Sequence, residues 1–164
     1  MNDILKFLIE GRKLGYARND SYGLNEYGEK VIERNLGRGL VYRDSYNDGI
    51  IEMNGIKYDV FSGREVVSFN GKVFFVVNYS GKILLEFKEK GYKFLRVLMS
   101  RALKDEIVTR LPNGVINDLK FKNFKSQAFS KGEINGCLKQ EVQFIDKKTK
   151  KVFYKENSFS HVCD

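Results

Sequence analysis

Hydrophobic and polar positions alternate with period two through the middle of the chain, and residues that favour turns punctuate the alternation. Leu40-Val41-Tyr42-Arg43-Asp44-Ser45-Tyr46 places Tyr42, Asp44 and Tyr46 on one face of an extended strand. A turn is expected at Asn47-Asp48-Gly49. Ile50 to Met53 and Ile56 to Phe61 then flank Asn54-Gly55, while Phe61 to Phe69 and Lys72 to Tyr79 flank Asn70-Gly71. Asn-Gly supplies the two positive φ angles of a type I′ turn, so these pairs predict tight antiparallel hairpins. Beyond the break at Pro112-Asn113-Gly114, strands are expected around Leu119 to Phe129, Cys137 to Ile145 and Lys151 to Phe159, the last two joined by Asp146 to Lys150.

Helical spacing occurs twice. Ile4, Leu5, Phe7 and Leu8 follow a cap at Asn2 or Asp3 and predict a first helix ending near Gly11 or Gly15. Tyr92, Leu95, Leu98, Met99, Ala102 and Leu103 form an apolar stripe that predicts a second helix over Gly91 to Ile107, with Lys93, Arg101 and Lys104 opposite. The stretch Gly15 to Gly39, rich in Gly, Asn and charge, reads as an ordered loop region with one short helical piece around Glu26 to Leu36. Lys72 to Tyr79 is apolar on both faces and belongs in the middle of a sheet, with Val73, Phe75, Val77, Leu95, Leu98 and Leu103 as core.

The expected fold is α+β, a single domain over residues 1–164. It is a twisted antiparallel sheet of hairpins with an N-terminal helix and a central helix packed on it. Glu65-Val66 to Lys72-Val73-Phe74-Phe75 and Glu141-Val142 to Lys151-Val152-Phe153-Tyr154 share a pattern of Glu-Val, strand, polar turn and Lys-Val-aromatic-aromatic. That admits a two-fold hairpin duplication; the alternative is chance, since any strand favours these residues.

Composition narrows the class. A chain of 164 residues, 42% of them hydrophobic, can bury a core without disulfide or metal staples. Cys137 and Cys163 are too few for a disulfide framework, which suggests a reducing, cytoplasmic setting. No apolar run approaches the roughly 18 to 20 residues that cross a bilayer, and no export signal is expected. Residues 1–81 carry equal numbers of basic and acidic side chains, so the whole net charge of +8 falls in 82–164.

Alternation puts Glu65 on the strand face of Phe61, Val67 and Phe69, where apolar neighbours would desolvate a carboxylate. It is either a ligand anchor or a structural group paired across the sheet. Tyr42, Asp44, Tyr46, Glu65 and Tyr79 form the one polar and aromatic constellation able to line a small-molecule pocket; the alternative for Tyr42, Asp44 and Tyr46 is an exposed strand face with ordinary cross-strand pairs. His161 with Cys163 falls short of the four ligands of a structural zinc site, so no metal is expected. Neither a nucleophile elbow, a P-loop nor a dinucleotide fingerprint occurs, so no cofactor is expected.

Three stretches, Tyr42-x-Asp44-x-Tyr46, Phe61-x-Gly63-x-Glu65-Val66 and Asn78-Tyr79-x-Gly81, resemble an uncharacterised microbial domain family, found alone or C-terminal to Cro-like helix-turn-helix repressor domains. The resemblance extends to the Glu141 hairpin and to Phe159-Ser160-His161. Here Val162-Cys163 stands where that family more often has two glycines, and Phe75 where it tends to have tryptophan. The resemblance implies a regulatory setting and brings no established activity.

Three function classes follow. The first is a non-enzymatic ligand-binding or sensing module acting through a partner protein or through oligomerisation. The second is a nucleic-acid-binding protein using Lys120, Lys122 and Lys125, interleaved with Phe121, Phe124 and Phe129, together with Lys147, Lys148, Lys150 and Lys151. A half-exposed strand and a solvated turn account for those lysines equally well. The third is an enzyme using Glu65 or Glu141 as acid and base.

Overall fold

A computed structural model of the chain describes residues 7, 8, 10–12, 14, 22–89, 91, 92, 114–120, 124–134 and 137–163. Turn chemistry sets the topology. Arg38-Gly39, Asn54-Gly55 and Asn70-Gly71 each have positive φ at both positions, the conformation that joins adjacent antiparallel strands by two residues. They connect β2 (Lys30–Gly37), β3 (Leu40–Met53), β4 (Ile56–Phe69) and β5 (Lys72–Leu84) into a meander, with the two-residue β1 (Gly23–Leu24) outside β2. A second meander comprises β6 (Gly114–Lys120), β7 (Phe124–Ile134), β8 (Cys137–Asp146) and β9 (Val152–Val162). The two meet along β5 and β9, giving one antiparallel nine-stranded sheet in the order β1-β2-β3-β4-β5-β9-β8-β7-β6. The sheet is open, since β1 and β6 at its ends do not pair with each other.

Three local expectations are corrected. Asn47-Asp48-Gly49 is not a turn: the three residues pair with Ser62, Phe61 and Val60, and β3 runs straight through them. None of the three adopts a positive φ, and continuous pairing with β4 outweighs their local turn preference. The helical piece around Glu26 to Leu36 is replaced by β2, whose buried Ile32 sits between half-buried Val31 and exposed Glu33 in register with β3. Cross-strand pairing overrides a weak local helical pattern there. Finally, Val73 is 38% exposed whereas Phe75 and Val77 are buried, because Val73 lies beside the Asn70-Gly71 turn, before β5 reaches its β9 neighbour.

All described residues between 7 and 14 are helical. Gly11 allows this helix to lie against β3, since a Cβ there would overlap the Tyr42 ring. Of the second helix expected over Gly91 to Ile107, residues 91 and 92 are described, both helical; the remainder, with Leu95, Leu98 and Leu103, lies outside the described residues. Two apolar clusters form the core. One joins Leu8 to Tyr42, Val67, Phe75 and Val77; the other joins Phe61, Ile83, Leu84, Phe144, Phe153 and Tyr154. Among the described residues no helix is long and apolar enough to cross a membrane.

Candidate functional site

Residues paired across neighbouring strands point to the same side of a sheet, so one face can be followed row by row. Tyr42, Val67 and Phe75 make an apolar row in the first core cluster. The next row runs Asp44, Glu65, Val77, Ser160; the one after, Tyr46, Gly63, Tyr79, Ser158; and the third, Asp48, Phe61, Gly81, Glu156. Asp59, Ile83, Tyr154 and Phe144 then return to the second cluster. The polar rows are thus held between two hydrophobic ones. At the same level the opposite face carries the exposed Asn47, Ser62 and Ser80, so the sheet is one-sided here.

Two strand glycines make room on that face. A Cβ at Gly63 would stand 2.5 Å from both the Ser45 carbonyl oxygen and the Tyr79 ring, and one at Gly81 would stand 2.5 Å from the Lys155 carbonyl oxygen and overlap the Phe61 ring. The rings of Tyr79 and Phe61 therefore lie across bare backbone. Gly63→Ala is expected to destabilise the fold by about 1 to 3 kcal/mol through overpacking, since one of the contacts is backbone and cannot swing away. Urea unfolding at matched m-values measures this.

A cavity of about 100 Å³ lies on this face. Its walls include Asp44, Tyr46, Glu65 and Tyr79 from the sheet, Arg12 from the N-terminal helix and Tyr22 from before β1. Phe61, Tyr92, Tyr154 and Glu156 complete it. Arg12 Nε donates to Glu65 Oε1 at 2.7 Å and Arg12 Nη2 to Oε2, while the Tyr42 hydroxyl donates to Oε1 at 2.7 Å. Asp44 accepts one phenol on each oxygen, Tyr79 at 2.7 Å and Tyr22 at 2.6 Å. Tyr154 donates to Glu156 Oε2 at 2.5 Å, and Tyr92 to Asp59 Oδ2 at 2.7 Å. A separate set of charges borders the site: Lys88 bridges Asp59 at 3.1 Å, and Lys30 bridges Asp48 at 2.7 Å while its ammonium lies 5.2 Å from the Tyr46 ring centroid.

Desolvation dominates the electrostatics. It raises the Asp44 carboxyl to about 7, helped by the Glu65 charge and opposed by the Tyr22 and Tyr79 hydrogen bonds. It also raises Glu156. The phenols of Tyr42 and Tyr79 are pushed up by burial and by the neighbouring carboxylates. Burial alone would weaken the Arg12 cation, but the field and hydrogen bonds of Glu65 more than offset that, and its pKa is raised.

Four of the five sequence-derived site residues, Asp44, Tyr46, Glu65 and Tyr79, line the cavity; Tyr42 stands behind Glu65, fully buried. Arg12, Tyr22, Tyr92, Tyr154 and Glu156 were not among the candidates. Tyr154-x-Glu156 repeats the spacing of Tyr42-x-Asp44, and that alternation was a usable signal for the last two. None of the candidate lysines that the structure describes lines the cavity. Lys120 pairs with Lys125 across β6 and β7, Lys148, Lys150 and Lys151 are exposed at the turn between β8 and β9, and Lys122 lies outside the described residues. Among the described residues no group of three His, Cys, Asp or Glu is placed to hold a metal.

No protein-family model, curated protein or solved structure matches this chain.

Proposed function

We propose that this chain is a small-molecule-binding module of a sensing or regulatory kind, with its ligand held in the cavity between the two apolar clusters. The observation that carries this reading is convergence. Tyr46, Phe61, Glu65 and Tyr79 come from three strands, and Gly63 and Gly81 let the Tyr79 and Phe61 rings lie close over the sheet as cavity walls. Glu65 suits a structural anchor of the cavity wall, because Arg12 and Tyr42 occupy both of its oxygens and leave it poorly placed to shuttle protons. The resemblance in the three motif stretches supports a regulatory setting, with output passing through a partner protein or through self-association.

The test is a titration with small cationic, neutral and anionic fragments, followed by amide NMR shifts. Saturable shifts clustered at Tyr46, Gly63 and Tyr79 are expected for at least one class; flat titrations for all three contradict the reading. The enzymatic alternative is an acid–base role for a cavity carboxyl, and it predicts turnover of the bound fragment. Recovering the bound fragment chemically unchanged separates binding from turnover.

A further inference from the structure

We propose that the cavity takes a primary alkylammonium head group, held by the Glu156 and Asp44 carboxylates and enclosed by tyrosine rings. The inference rests on the ligand-binding reading above and names the chemistry of that ligand. It begins from an imbalance of charge partners. Glu65 has Arg12, Asp48 has Lys30, and Asp59 has Lys88. Asp44 and Glu156, which both line the cavity, form no ion pair among the described residues; the field of Arg12 reaches both, but its donors are taken by Glu65. Asp44 is held by phenols alone, and Glu156 by a single phenol at Oε2, with no hydrogen-bond partner at Oε1 among the described residues. Acceptors in such surroundings favour a donor that carries positive charge.

The walls point the same way. The hydroxyls of Tyr22 and Tyr79 donate to Asp44, that of Tyr92 to Asp59 and that of Tyr154 to Glu156. With those hydroxyl protons committed to carboxylates, what the tyrosines offer a ligand is ring surface, which attracts cations. The site already shows this preference at its border, where the Lys30 ammonium sits over Tyr46. An anionic ligand would have to displace Glu65 from both Arg12 donors. A primary ammonium fits better than a quaternary one because Glu156 Oε1 calls for an N–H donor. The volume of about 100 Å³ admits a head group with its first few carbons.

The experiment compares n-propylammonium, 1-propanol, tetramethylammonium and propionate against the intact chain by calorimetry and amide NMR. Propylammonium is expected to bind roughly tenfold more tightly than 1-propanol, and Glu156→Gln to remove about that factor while the fold survives. Asp44→Asn is the second variant, expected to weaken propylammonium and leave 1-propanol unchanged. Equal or tighter binding of 1-propanol, tetramethylammonium or propionate at the same amides overturns the primary-ammonium assignment and leaves the ligand-binding reading standing. Flat titrations with all four overturn the assignment together with that reading.

Discussion

Arg12→Met is expected to destabilise the folded chain by about 3 to 5 kcal/mol, the usual cost of removing one partner from a buried ion pair. The Arg12 and Glu65 side chains are 12% and 7% exposed, so water cannot take over the guanidinium's role. Glu65 would be left with the Tyr42 hydroxyl as its remaining partner and with Val67 and Val77 beside it in the register. The substitution keeps an unbranched apolar stem on the helix, so its effect reports charge rather than packing. Adding Glu65→Gln should recover much of the loss, because a neutral amide still accepts from Tyr42 and no longer needs a cation. Chemical denaturation of the two single variants and the double variant measures the coupling; a strictly additive double variant would show that the pair does not act as a unit.

Stability should also fall as pH rises from about 4 to about 7, by a few kcal/mol from Asp44 alone. The Asp44 carboxyl moves from 3.8 to about 7 on folding, chiefly through desolvation and then through Glu65. Below about 3.8 both states hold the proton, and the stabilisation of the protonated folded form is complete. Between the two values the unfolded chain releases the proton and the folded chain keeps it, so the balance shifts toward unfolding; above about 7 both are ionised and the slope vanishes. The groups facing Asp44 are Tyr22, Tyr79, Glu65 and Arg12, and the first two lower its pKa by donating to it. Glu156, also raised, adds in the same direction, whereas Glu141 and Asp146 are lowered and act oppositely at the acid end. Asp44→Asn should flatten the slope and make the chain more stable than the parent at pH 8. An unchanged slope in that variant would mean that other groups produce the dependence.

The sequence discloses what neighbouring residues decide. Asn54-Gly55 and Asn70-Gly71 fix two hairpins, and alternation puts Tyr42, Asp44 and Tyr46 on one face and Glu65 on another strand's matching face. Arg38-Gly39 makes the same kind of turn without an asparagine, which hid β2 within an apparent loop. The remaining walls depend on pairing between distant segments. Glu156 reaches the site because Gly81 pairs with it across the β5 and β9 seam, a register that no local pattern specifies. Arg12 arrives because Gly11 lets its helix close on Tyr42. Gly63 and Gly81 were visible as interruptions in strands, and strand glycines often mark close approach, but which ring approaches is settled only by the fold.

The most direct test follows the Asp44 side-chain carboxyl by carbon-13 NMR through a pH titration, first alone and then with saturating n-propylammonium. A midpoint near 7 is expected for the free chain, moving down toward the ordinary aspartate range once the ammonium is bound. A midpoint near 3.8 that the ammonium does not move would contradict the proposed site, because Asp44 would then be neither desolvated nor part of a site that receives a cation.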